Sequence, residues 1–257
     1  MNKVRSKDGT LIAYESSGSG PALLLIHGGG SHPERWRPIG ERFEPSFSVY
    51  RMARRGVAGS GESIDWSPER QGEDVAAVVD AIGGPVNVLG HSYGAMCAIE
   101  GACLTKSIAR LILYEPPFKL PLPPPAFFDK LGAMLAAGDR DGVNVAFNRE
   151  IARMPEHEIE LQKTKPGYAA KLESIHTVIF ELQAVQLYKF NAAKMGKVTI
   201  PVMLLLGGDS PPFFRESAEL AHAALPNSRI VVLPGQQHIA MDTAPDLFVR
   251  EVTSFLT

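Results

Sequence analysis

Six short apolar runs, at residues 22–26, 49–52, 86–89, 111–114, 202–206 and 230–233, constrain this chain more than any other feature. None alternates polar with apolar residues. A strand with one wetted face alternates, so near-continuous apolar runs of this length describe strands buried on both faces. That requires a parallel sheet covered by helices on either side. Asp8-Gly9, set between two alternating stretches at 2–7 and 10–16, reads instead as the turn of a hairpin.

Helical signals fall between the runs. Ser67 is placed to cap a helix opening on Pro68, in which Val75, Val78, Val79 and Ile82 repeat at helical spacing until Gly83-Gly84-Pro85 stops it. Residues 95–104 form a helix of small side chains. Leu220, Ala221, Ala224 and Leu225 mark another, and Leu247, Val252, Phe255 and Leu256 a last one. Strand and helix alternating in this way give a right-handed, doubly wound α/β sheet. Residues 116–198 break the rhythm: they open on prolines and show only helical patches, such as Phe127, Phe128, Leu131 and Leu135. We therefore expect a core built from 1–115 and 199–257, with 116–198 inserted as a helical cap.

Composition excludes several classes. With 257 residues, 45% of them hydrophobic and 21% charged, the chain has ample material for a packed core. A formal charge of −2 provides no broad positive field of the kind that drives nucleic-acid binding. No apolar run approaches the roughly 20 residues of a membrane span, and the polar first ten residues lack a signal-peptide core. The expected setting is the cytoplasm, with a small-molecule partner, no nucleic acid and no membrane. Cys97 and Cys103, six residues apart on one helix and so about 9 Å from each other, cannot bridge. Their number and spacing do not suggest a zinc site.

The chemistry centres on Gly90-His91-Ser92-Tyr93-Gly94, lying between an apolar strand and a small-residue helix. A serine flanked by glycines at this spacing fits a tight strand-to-helix turn that holds its hydroxyl clear of the backbone. The hydroxyl needs a base to accept its proton. His238, beyond the last strand, is the candidate; His27, His32 and His91 sit beside glycine-rich turns, and His157, His176 and His222 on helical patches. The base in turn needs a carboxylate. Asp209, after the strand at 202–206, is the expected acid, with Glu115, at the end of the preceding strand, as the alternative. For the oxyanion, His27-Gly28-Gly29-Gly30 offers the Gly29 amide first and Gly30 next, and Tyr93 supplies the second donor. No phosphate-binding pattern accompanies these glycines.

These motifs, HGGG at 27–30, GHSYG at 90–94, LLLGGD ending at Asp209, and His238, make the chain resemble the α/β-hydrolase superfamily. The resemblance is to its small, lidded, cofactor-free esterase and haloperoxidase-like branch. It implies an α/β-hydrolase fold: a mostly parallel eight-stranded sheet flanked by helices, with a helical cap inserted before the strand that precedes the catalytic acid. It also implies serine-hydrolase chemistry without metal or organic cofactor. Two positions depart from the relatives' pattern, Ala53 where an aspartate often stands and Ala58 where a glycine does. The substrate expected under an apolar cap is a small or medium, largely apolar ester, lactone or thioester, with Gly30, Trp36, Phe118 and Phe128 as pocket candidates. Perhydrolysis, carbon-carbon or cyanohydrin cleavage, acyl transfer and simple ligand binding are the rival uses of such a scaffold.

Overall fold

The computed structural model describes all 257 residues. Eight strands form one sheet: β1 (Asn2–Arg5), β2 (Leu11–Gly18), β3 (Ala22–Ile26), β4 (Ser48–Met52), β5 (Val86–His91), β6 (Ile108–Tyr114), β7 (Val202–Gly207) and β8 (Ser228–Leu233). Their spatial order is β1-β2-β4-β3-β5-β6-β7-β8. The β1–β2 hairpin and the β2–β4 pair are antiparallel, and every other pair is parallel. This is the mostly parallel eight-stranded sheet that the resemblance implies, with the hairpin at its antiparallel edge.

The absence of polar alternation now has a direct explanation. Successive residues of each central strand enter opposite cores: Leu24, Ile26, Val88, Leu113 and Leu204 pack on one face, and Leu23, Leu25, Leu89, Ile112 and Leu205 on the other. Helices α1 (Arg37–Phe43), α2 (Pro68–Ile82) and α3 (Tyr93–Ala102) precede β6. Ser67 Oγ accepts the Arg70 N–H at 3.2 Å, as the cap reading requires, and Gly83 at φ 79° ends α2. Val75, Val78 and Val79 of α2 cover the first face together with α3, while Ile39 and Phe43 of α1 cover the second.

Between β6 and β7 run only helices: α4 (Pro125–Ala136), α5 (Arg140–Ala146), α6 (Glu156–Lys163), α7 (Tyr168–Glu173), α8 (Thr177–Leu187) and α9 (Ala192–Met195), with a π-helical turn at Phe147–Ile151. Their apolar faces gather a separate cluster around Phe127, Leu131, Val143, Ile175, Val178 and Leu182. Helix α10 (Pro212–Ala224) starts well before the apolar repeat at 220–225, and α11 (Ala240–Thr243) and α12 (Pro245–Leu256) close the chain. No helix is long and apolar enough to cross a membrane.

Candidate active site

β5 passes into α3 through the Gly90–Gly94 turn. Ser92 takes φ 54° and ψ −124°, a backbone state that side-chain-bearing residues avoid at a cost of about 1–3 kcal/mol. Its N–H donates to the Tyr114 carbonyl at 2.8 Å, tying the turn to the end of β6. The flanking glycines are sterically required. A Cβ on Gly90 would lie 2.5 Å from the Gly94 carbonyl oxygen, and one on Gly94 would lie 2.3 Å from that of His27.

The carboxylate beside His238 is Glu115, not Asp209. Glu115, fully buried at the end of β6, accepts the His238 Nδ1–H through Oε2 at 2.5 Å and the Gly207 N–H through Oε1 at 2.7 Å. Asp209 is exposed, and its carboxylate forms no hydrogen bond or ion pair. The reason lies in the backbone. Glu115 adopts φ 49°, which turns its side chain back beneath the ends of β6 and β7. The chain after Gly207 instead turns outward, with the Asp209 N–H donating to Gln236 at 3.0 Å.

Three further side chains fix the His238 loop. His91 donates from Nε2 to the His238 carbonyl at 2.9 Å, and burial holds this imidazole well below the usual histidine pKa, so it is neutral. The Tyr114 hydroxyl donates to the Gln237 carbonyl and accepts the Ala240 N–H at 2.9 Å. Phe214 of α10 stacks on the His238 ring, centroids 4.4 Å apart and planes at 17°. Neither His238 Nε2 nor Ser92 Oγ is engaged in a hydrogen bond, and both residues line one cavity beneath the helical segment.

The glycine loop after β3 passes over the serine: a Cβ on Gly28 would sit 3.1 Å from Ser92 Cβ, and one on Gly29 would sit 3.6 Å from Tyr93 Cβ. Gly30, at φ 50°, donates its N–H to Glu181 Oε2 of α8 at 2.8 Å, so that amide is occupied. The Gly29 amide has no acceptor within the chain, and the Tyr93 amide, first in α3, has none in its own helix. Glu181 is buried and neutralised by Arg54 at 2.5 Å. Arg54 also donates to the carbonyls of His27 and Gly28 and to Gln71. Nothing in the local sequence around Arg54 or Glu181 signals this network, since its partners lie 127 residues apart.

The cavity wall corrects the expected pocket residues. Trp36 is fully buried against His91 and Phe248 in the second core. Phe118 packs on Tyr188 and Phe190, Phe128 joins the cluster among the cap helices, and Gly30 faces Ile175 and Val178. None of these four lines the cavity. Its apolar wall comes instead from Leu120, Phe147, Ile151, Val178, Leu182 and Phe214, four of them on the π-helical turn and α8. Ser31, Arg35, Gln162 and Lys171 add a polar end. Burial pushes the Lys171 ammonium down to about 7.

The departures from the relatives' pattern are accommodated locally. Ser60 Oγ bridges the loop by accepting the Ala13 N–H at 2.8 Å and donating to the Ala53 carbonyl at 2.7 Å. Ala58 keeps the left-handed backbone of the glycine it replaces, at φ 48°.

Comparison with known proteins bears on the family and the fold. The chain is 38% identical over 91 residues to a pimeloyl-[acyl-carrier protein] methyl ester esterase of Methylococcus capsulatus, a stretch covering 35% of each chain. It is 33% identical over 108 residues to an N-formylmaleamate deformylase of Pseudomonas putida, 40% of each. The matches thus span less than half the length of these curated relatives. Over its whole length the chain superposes on the crystal structure of an alpha/beta hydrolase from Sphaerobacter thermophilus, with TM-score 0.83, 33% identity and 100% of both chains covered. The sequence profile of the alpha/beta hydrolase family matches residues 23–251, and the chain belongs to that family.

Proposed function

We propose that the protein is a serine hydrolase that cleaves a small or medium carboxylic ester through an acyl-enzyme on Ser92. The observation that carries this reading is the buried Glu115–His238 pair at 2.5 Å, whose free imidazole nitrogen shares a cavity with Ser92. Glu115 holds Nδ1 protonated, which leaves Nε2 unprotonated and able to take the Ser92 hydroxyl proton. Oγ then bonds to the ester carbonyl carbon, and the resulting oxyanion is received by the amides of Gly29 and Tyr93. Each such donor contributes roughly 3–4 kcal/mol to the transition state. The C–O bond breaks as Nε2 returns the proton to the departing alcohol. Water, deprotonated by the same nitrogen, releases the acid and regenerates Ser92. Glu181 holds Gly30 and, paired with Arg54, brings no net charge to the neighbourhood of the oxyanion. The helices between β6 and β7 act as the cap and exclude bulk water.

The test is covalent labelling. A fluorophosphonate should add once per chain, on Ser92 by peptide mapping, and Ser92→Ala should abolish both labelling and hydrolysis of short acyl esters. Labelling at another residue, or esterase activity surviving in Ser92→Ala, refutes the assignment.

A further inference from the structure

The catalytic reading leaves one group of cavity residues without a task. Lys171 of α7 is only 8% exposed, yet its Nζ forms no ion pair and reaches only the Gln162 amide. The ammonium carries three donors and gives one of them, to Gln162 Oε1 at 2.9 Å. Beside it, Ser31 Oγ and Arg35 Nε are buried and without any hydrogen-bond partner. Arg35 is held from its far side by Asp242 at 2.7 Å, which fixes the guanidinium but leaves Nε free. Buried donors are nearly always paired, and a buried charge without a counter-ion is costly. Three neighbouring exceptions on one wall of the cavity that contains Ser92 therefore describe a place for an acceptor.

The sign of that acceptor follows from the surroundings. Ser31, Arg35, Gln162 and Lys171 also line a second recess that opens beyond them, and there Lys165 adds a cation against Asp242 alone. Burial holds His32, in the same recess, below its ordinary pKa, which disfavours its cation. Arg35, Lys165 and Lys171 thus outnumber Asp242 around this recess, and burial pushes the nearby Glu158 carboxyl up to about 7.

We propose that this wall is a carboxylate subsite, and that the ester cleaved at Ser92 carries a free carboxylate bound by Lys171 Nζ, Ser31 Oγ and Arg35 Nε. The inference rests on the serine-hydrolase reading for its orientation, since the same cavity must hold the ester carbonyl at Ser92 and the anion at Lys171. It names a substrate class, a monoester of a short dicarboxylic acid, that the apolar wall alone would not select. A planar carboxylate offers two oxygens, matching an ammonium on one and the hydroxyl or Nε–H on the other.

Two measurements separate this inference from the catalytic reading. In the first, hydrolysis of monomethyl glutarate and of dimethyl glutarate is followed by acid release for the wild type, Lys171→Met and Ser31→Ala. The wild type should favour the monoanion in kcat/KM by about tenfold or more, and Lys171→Met should lower that anion-to-neutral ratio by at least about tenfold, with Ser31→Ala causing a smaller fall. A wild-type preference for the diester, or a ratio unchanged in Lys171→Met, overturns the subsite. In the second, glutarate itself is titrated calorimetrically into Ser92→Ala and into Ser92→Ala/Lys171→Met, which needs no chemistry. Glutarate should bind the first and bind the second at least about tenfold more weakly. Equal binding, or none to either, overturns the subsite even if Ser92 is labelled. Lysine-dependent binding without turnover of any ester leaves the subsite standing and refutes the hydrolase.

Discussion

Replacing Glu115 with glutamine tests the acid assignment at a single atom. The carboxylate accepts two N–H groups on two different oxygens, His238 Nδ1–H at 2.5 Å and Gly207 N–H at 2.7 Å. A carboxamide has one acceptor oxygen, so it satisfies one of these donors and turns its NH2 toward the other. The Gly207 amide is fixed at the end of β7 and cannot change its proton, whereas the imidazole can. Glutamine therefore settles with its oxygen on Gly207 and its NH2 on His238, so Nδ1 becomes the acceptor and the ring proton moves to Nε2. That nitrogen then has no lone pair for the Ser92 proton. Fixing the wrong tautomer in such a triad lowers kcat by about 10⁴, or about 5 kcal/mol. Stability should change far less, because both hydrogen bonds can still be made after the proton shift. The assay is steady-state hydrolysis of a short acyl ester by Glu115→Gln and Asp209→Asn, with thermal melts as the control for folding. Exposed Asp209 should tolerate the change with kcat within about twofold. A full-activity Glu115→Gln paired with a crippled Asp209→Asn would refute the reasoning.

Further outcomes are expected. Lys171 has a folded-state pKa of about 7, depressed from 10.5, so below pH 7 both states hold its proton and the penalty for burying the charge is complete. Between pH 7 and 10.5 the unfolded chain binds more protons, and the penalty falls as pH rises. Lys171→Met should thus be more stable than wild type by roughly 3–5 kcal/mol at pH 6, with the gap shrinking steadily toward pH 10 in denaturant titrations; a gap that widens with pH contradicts this. Glu181→Gln strands Arg54 as a buried unpaired cation and should cost about 3 kcal/mol, while Glu181→Gln/Arg54→Met should regain much of it; additive losses in the double variant contradict the pairing. Ala58→Gly should relieve left-handed strain by up to about 1 kcal/mol, net of added chain entropy, and raise Tm by about 2–4 °C; a lower Tm contradicts it.

Local pattern carried most of the architecture. Burial on two faces writes itself as unbroken apolar runs, so the strands at 22–26 and 202–206 were readable, and the Gly-x-Ser-x-Gly turn announces its own crowding. The acid was not readable in the same way. Both Glu115 and Asp209 follow apolar strands, and the choice between them depends on a positive φ at Glu115 and on the outward path after Gly207, neither of which is encoded by residue type. Pocket aromatics failed for a related reason: Trp36 and Phe128 are apolar enough for a pocket, but composition does not say which side of a helix or loop faces the cavity. Lys171 carries no sequence signal at all, because a lysine on a short polar helix is indistinguishable from a solvent-facing one. Its burial arises only when α6, α7 and the loop after β3 meet.

The clamps on His238 have a consequence for how this molecule can change over time. His91, Tyr114, Glu115 and Phe214 belong to the sheet, its immediate edge and a flanking helix, and none to residues 116–198. The contacts that hold this imidazole thus come from the core, whereas most of the apolar cavity wall, Leu120, Phe147, Ile151, Val178 and Leu182, comes from residues 116–198. Apart from Glu181, which is tied to Gly30 and Arg54, the wall-forming side chains of that roof can change without touching the groups that hold His238.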